Sequence, residues 1–195
     1  MRPGPKLILF FVTILPLFWA EAGHASHHFP DYPVRPASEY PNKAVAGSIT
    51  VAAEAVEDPA QQKTYFNTHF NSRGYLPVLL VIQNGSPTDT YLFDRSAVGL
   101  ADPGELTGKG AHKTESLLSS GGTIDLSLTG KDDVTNVREN LMKKEVRSKT
   151  LSPGSSVSGF IYVPVPRDAP RSKIHLQVPV TNTQSGEITV LNLLL

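Results

Sequence analysis

Tyr75-Leu76-Pro77-Val78-Leu79-Leu80-Val81-Ile82 is apolar on both faces and rich in branched residues. A run of this length with no polar alternation suits a strand covered on two sides, and it predicts the central strand of the fold. Asn84-Gly85 just beyond it is a turn signal, so Thr90 to Phe93 is expected to return as the hairpin partner. Upstream, Ile49, Val51, Ala53 and Ala55 alternate with Thr50, Ala52 and Glu54, the period of a half-buried strand. Asp58-Pro59-Ala60-Gln61 between the two has the grammar of a helix start. Asp can cap free amides, proline suits the first helical position, and Gln61 can complete a capping box. Phe66 and Phe70 then share one helical face, and Gly74 is the expected stop.

Working toward the C-terminus, Val98 to Leu100 predicts a short strand before the turn at Asp102-Pro103-Gly104. Residues 105 to 122 are polar and glycine-rich, which predicts a long loop. Ile124, Leu126 and Leu128 keep strand spacing, and Val134, Val137 and Leu141 keep helical spacing behind an expected Asp133 cap. After Ser152-Pro153-Gly154, Val157 to Val165 reads as a strand with Phe160 and Tyr162 on one face and Ile161 and Val163 on the other. Ile174, Leu176, Val178 and Val180 alternate with Lys173, His175, Gln177 and Pro179, and residues 187 to 194 supply a last apolar strand. The sum is a mainly β chain, an antiparallel β-sandwich with two inserted helices, spanning residues 44 to 195. Residues 23 to 43, with prolines and isolated tyrosines but no period, read as a flexible tether.

The first twenty-two residues read as a signal peptide. Arg2 and Lys6 precede an apolar run from Leu7 to Ala20, and Ala20-Glu21-Ala22 has the small-x-small pattern a signal peptidase reads. The run is shorter than the roughly twenty residues a membrane-spanning helix requires, and Pro16 interrupts it. Cleavage removes Arg2, Lys6 and Glu21 and leaves sixteen basic against seventeen acidic residues. A near-neutral chain gives no electrostatic reason to expect nucleic acid or an anionic membrane as its partner. Cysteine is absent, so disulfides, thiolate catalysis and lipid attachment through sulfur are excluded. A periplasmic or secreted location is expected, with no second span after the signal.

The segment from Gly74-Tyr75-Leu76-Pro77-Val78 to Ile82-Gln83-Asn84, with Leu151-Ser152-Pro153-Gly154 and Gly159-Phe160-Ile161-Tyr162, resembles a group of exported bacterial proteins of uncharacterised function. Those chains pair a PV(x)3IxN strand with a later LxPG...GFxY strand in an immunoglobulin-like sandwich. The resemblance covers about residues 45 to 195 and implies that fold and an envelope location. It transfers no catalytic residue, and this chain lacks the lipobox cysteine that many members of such groups carry.

Candidate chemistry is thin. His24, His27 and His28 lie close to Asp31, and imidazoles on such a segment can bind copper, nickel or zinc. Cleavage after Ala25 would leave Ser26-His27-His28 at a new amino terminus, where the amine, two backbone nitrogens and an imidazole make a square-planar copper or nickel site. Cleavage after Ala22 would place His24 second and spoil that arrangement. His69, His112 and His175 are scattered over a predicted helix, loop and strand, with no second ligand at metal spacing. Gly154-Ser155-Ser156-Val157-Ser158-Gly159 lacks the spacing of a nucleophile elbow, and Gly104 to Gly110 lacks that of a phosphate loop. Asp132-Asp133 and Glu105 lack the order of a calcium loop. Arg138, Lys143, Lys144, Arg147 and Lys149 make the second helix and its exit basic, which Glu139 and Glu145 interrupt and the helix dipole explains.

The expected function is therefore a non-catalytic exported binding or accessory module of the cell envelope, with an envelope protein or a glycan as partner and residues 105 to 122 as one candidate surface. One rival is a periplasmic metal-binding protein using His24, His27 and His28. Another is a hydrolase assembled from His69, His112 or His175 with a serine and a carboxylate.

Overall fold

β3, Tyr75–Asn84, lies between two antiparallel neighbours, as its two-faced apolar sequence demands. The computed structural model describes residues 29–101, 131–165 and 174–195. One sheet runs in the order β1 (Lys43–Ala46), β2 (Ile49–Ala55), β3 and β7 (Ser156–Pro164). In the other, β8 (His175–Asn182) is central. β9 (Ile188–Leu194) pairs along one side of it, while β4 (Tyr91–Phe93) and β5 (Gly99–Ala101) pair along the other, and β6 (Lys149–Leu151) pairs with β4. All these ladders are antiparallel, and the two sheets form a β-sandwich with two helices, α1 (Pro59–Phe66) and α2 (Lys131–Lys144), among the described residues.

Side chains alternate across a strand, so β2, β3 and β7 of the first sheet each serve two cores. Leu76, Val78, Leu80 and Ile82 join Ile161 and Val163 in the core between the sheets. Ile174 and, from β8, Leu176, Val178 and Val180 meet them fully buried, as their alternation predicted. Leu79, Val81, Phe160 and Tyr162 face the other way, where Phe66, Phe70, Val137 and Leu141 cover them. Phe66 stands edge-on to Phe160 at 4.8 Å, and Phe70 stacks on Tyr162 at 5.3 Å. The molecule thus has three layers, helices on one sheet and a second sheet behind it.

Local details decide how these elements end. Asp58 caps α1 by accepting the Ala60 amide at 2.9 Å, with Pro59 in the first turn. The buried polar anchor of the helix is Gln62. Buried completely, its Nε2 donates to the Val56 carbonyl at 2.7 Å and its Oε1 accepts the Phe70 amide at 2.8 Å. Asn67 ends the helix in the left-handed region at φ 53°, so Phe70 lies beyond α1, and Gly74 caps the short 3-10 turn Asn71–Arg73.

Three further expectations are corrected. Tyr91–Phe93 does not form a hairpin with β3; it crosses to the second sheet and pairs with β6 and β8. The reason is Asn84, which is buried and used as a clamp: its Nδ2 donates to Asp89 O at 2.8 Å and to Leu151 O and Ser152 O at 3.1 Å, while its Oδ1 accepts the Ser86 amide. Asp133 lies inside α2, which begins at Lys131, and is not its cap. The described part of the expected tether is folded: Ala37 and Tyr40 are buried against the first sheet around the 3-10 turn Ala37–Glu39, because aromatic and small residues there fill the gap beside α1 and α2. The expected signal peptide 1–22, the long loop 105–122 and the strand at 124–128 lie outside the described residues. No helix among the described residues is long and apolar enough to cross a membrane.

Candidate ligand-binding trough

Residues 29 to 36 form an arm that crosses the helix side of the first sheet. Pro30, Pro33 and Pro36 restrict its backbone to extended conformations, and Tyr32 is its anchor. The Tyr32 ring meets Tyr65 at 4.8 Å and Phe160 at 5.3 Å, both edge-on. Its hydroxyl donates to Glu54 at 3.4 Å. Burial first, and then the nearby Glu54 charge, push the Tyr32 hydroxyl up to about 12. Lys144 at the end of α2 donates to Pro30 O at 2.8 Å and lies 3.6 Å from Asp31. Burial lowers the Lys144 ammonium, with Asp31 opposing that shift. At the far end the Arg35 amide donates to the Tyr40 hydroxyl at 2.9 Å, and the Arg35 guanidinium sits 4.5 Å above the Tyr40 ring and 3.4 Å from Glu54.

The arm does not seal the sheet beneath it. A depression of about 310 Å³ lies between Val34, Arg35 and Pro36 and the floor residues Gln83, Ser156 and Ser158. A second, of about 220 Å³, lies against Tyr32, Lys143, Lys144 and Phe160. Val34 and Ser158 border both, so the two are successive parts of one trough. Its floor follows the β3–β7 register, in which Leu79 faces Phe160, Val81 faces Ser158 and Gln83 faces Ser156. One end is consequently aromatic with charges of both signs, Lys143 and Lys144 beside Asp31 and Glu145, and the other has an uncharged floor of hydroxyls and an amide under a wall of Val34, Pro36 and Arg35.

Behind the trough the exit of α2 is packed closely against β7. The chain leaving α2 runs beside β7, with Glu145 bridged to Phe160 in parallel and the Val146 amide donating to Phe160 O at 2.9 Å. Gly159 makes this approach possible. A Cβ there would lie 2.6 Å from both the N and Cα of Val146. Glu145, fully buried at its side chain, pairs with Arg95 at 3.4 Å, and Arg95 is nearly as buried. The Tyr162 hydroxyl donates to Leu141 O at 3.0 Å, and burial, with the Glu145 charge second, raises it well above the ordinary tyrosine value.

The scattered histidines are not brought together. His69 is exposed beyond the end of α1 in the helix layer, and His175 stands exposed on β8, in the second sheet. His24, His27, His28 and His112 lie outside the described residues, and among the described residues no three His, Cys, Asp or Glu side chains are grouped to hold a metal ion. Of the basic residues at the second helix, Lys144 is committed to the arm and Lys149 donates to Ser156 O at 3.1 Å. The trough was not foreseen, since it requires a segment read as a tether to fold back onto β3 and onto β7, the latter more than a hundred residues away. The paired tyrosines Tyr32 and Tyr40, flanking prolines, were the available signal.

No protein-family model matches the chain, and a search of curated proteins found no match.

Proposed function

We propose that the protein is an exported, non-catalytic binding or accessory module of the cell envelope, built on an immunoglobulin-like sandwich and resident in the periplasm or secreted, and that its trough takes an envelope glycan. The observation that carries this reading is the uncharged floor of Gln83, Ser156 and Ser158 beside the aliphatic Val34 and Pro36. Neutral hydroxyl-rich ligands exchange hydrogen bonds with hydroxyls and amides and lay their C–H faces on aliphatic walls. At about 310 Å³ the depression sits at the small end of ligand sites, which run from roughly 300 Å³ upward. Such a ligand needs no counter-charge, and Arg35 at the rim is already paired with Glu54. The export signal read at residues 1–22 supports a location where such glycans are found.

The test is retention of the purified protein by polysaccharide fractions prepared from the envelope. Wild type is expected to bind a fraction that protease leaves intact, and Ser158→Trp, at an exposed strand position bordering both halves of the trough, is expected to lose binding at least about tenfold with an unchanged circular dichroism spectrum. Binding that disappears when the fraction is treated with protease would assign the trough to an envelope protein instead.

A further inference from the structure

Four of the six large aliphatic side chains exposed among the described residues stand on one surface, the outer face of the second sheet: Leu92, Ile188, Val190 and Leu194. Pairing brings the first three together. Leu92 on β4 is opposite Thr181 on β8, Thr181 is opposite Ile188 on β9, and Val190, two residues on, is opposite the half-buried Pro179. Leu191 and Leu193 alternate with them and lie in the core, so the exposure follows from the strand's period of two and not from a frayed end.

Charge is missing from the same face. Although 18% of the chain is charged, none of the ten outward positions on β4, β6, β8 and β9 is Asp, Glu, Lys or Arg. A sheet face kept for solvent normally carries charges, which also hold copies of a protein apart. The corresponding face of the first sheet carries α1, α2 and the arm, which cover much of it.

We propose that this face docks a second copy of the chain, giving a back-to-back dimer about a twofold axis. Charge complementarity selects that occupant. An acidic or basic partner finds no counter-charge here, whereas an uncharged face meets itself without like-charge repulsion. The whole chain has no net charge to oppose the encounter at longer range. A twofold axis through the Leu92, Ile188 and Val190 stripe lays it on its own copy, which is the self-complementarity an isologous contact needs. The face is about 19 Å wide over four strands, running about 23 Å along β8 and β9 but only about 10 Å along the three-residue β4 and β6, from the rise and spacing of β-structure. That footprint is at the small end for specific pairs, so the dimer dissociates in the micromolar range. The trough, on the opposite side of the sandwich, stays open in both copies, and the proposal does not rest on what the trough binds.

Sedimentation velocity on the exported full chain tests it over about 1 to about 200 µM. Wild type is expected to pass from monomer to dimer. Ile188→Lys and Val190→Lys are each expected to move the midpoint at least about tenfold upward, and the double variant to stay monomeric, with unchanged circular dichroism because both sites are exposed. Val45→Lys is the control: Val45 is just as exposed, but it lies on β1 and faces away from the second sheet, so its dimer is expected to match wild type. A wild type that stays monomeric throughout, or a Val45→Lys variant as disrupted as Ile188→Lys, would overturn the proposal. So would a monomeric wild type that dimerises once residues 105–122 are deleted, since that segment would then be the occupant.

Discussion

Replacing Gly159 with alanine inserts a methyl carbon 2.6 Å from the backbone N and Cα of Val146 and 3.0 Å from the Glu145 carbonyl carbon. Carbon contacts relax at about 3.5 to 4.0 Å, so the overlap is near 1 Å against backbone, which no rotamer change can relieve. The chain at 145–146 must withdraw from β7. Withdrawal stretches the bond from the Val146 amide to Phe160 O, now 2.9 Å, and disturbs Glu145, whose buried carboxylate is paired with Arg95. Overpacking alone costs about 1–3 kcal/mol, and a weakened buried hydrogen bond adds about 1 kcal/mol, for a loss of about 3 kcal/mol. Urea unfolding followed by circular dichroism reads it directly. With a slope of about 2 kcal/mol per molar, the midpoint falls by about 1.5 M at constant slope. A midpoint within about 0.3 M of wild type would refute the claim that β7 and the exit of α2 are in close contact at this glycine.

Asn84→Ala removes the two N–H donors that Asp89 O, Leu151 O and Ser152 O share and one accepted bond at the corner between the sheets, leaving the Leu151 carbonyl buried without that donor; a loss of about 2–4 kcal/mol is expected in the same urea assay. Because the folded protein holds the Tyr32 proton up to about 12, against 10.0 ordinarily, the native state binds more protons than the unfolded chain between those values, and the Tyr32 contribution, present below pH 10, is lost as pH rises toward 12. Solvent screening of this half-buried ring holds the effect to about 1 kcal/mol. Tyr32→Phe is expected to fall less steeply than wild type over that interval, and parallel curves would contradict the assignment. Native mass spectrometry of the exported chain with copper checks the histidine segment. A mature form beginning at Ser26 is expected to hold one copper that a His27→Ala, His28→Ala variant loses, and a form beginning at Gly23 is expected to hold none at that square-planar site.

Much of the sandwich was legible because strand period and burial are local properties. The two-sided apolar run at 75–82, the alternation at 174–180 and the opposed faces of Phe160/Tyr162 and Ile161/Val163 each correspond to observed cores. The Asp58 cap was equally local. Sheet membership was not legible. Asn84-Gly85 carries the grammar of a tight hairpin, yet the side chain of Asn84 bonds carbonyls near residue 151, a partner that sequence spacing cannot reveal, and the chain crosses to the other sheet. The arm was misread for the same reason. Its prolines and lack of period describe an extended chain correctly, but whether an extended chain is free or laid down depends on Tyr32 finding Tyr65 and Phe160. Arg95 and Glu145 gave no signal at all, since isolated charges in sequence look solvated and only the approach of α2 to β7 buries them together. The trough inherits this, because its wall comes from the arm and its floor from strands in the middle and last third of the chain.

Photocrosslinking in exporting cells decides whether the trough beside the arm holds an envelope glycan after export. A photoreactive amino acid at position 158, on the trough floor, is compared with one at position 45, exposed on β1 away from it. An adduct is expected at position 158 alone, removed by glycosidase and retained after protease digestion of everything else. Equal labelling at the two positions, or no adduct at position 158 in cells that export the protein, would contradict it.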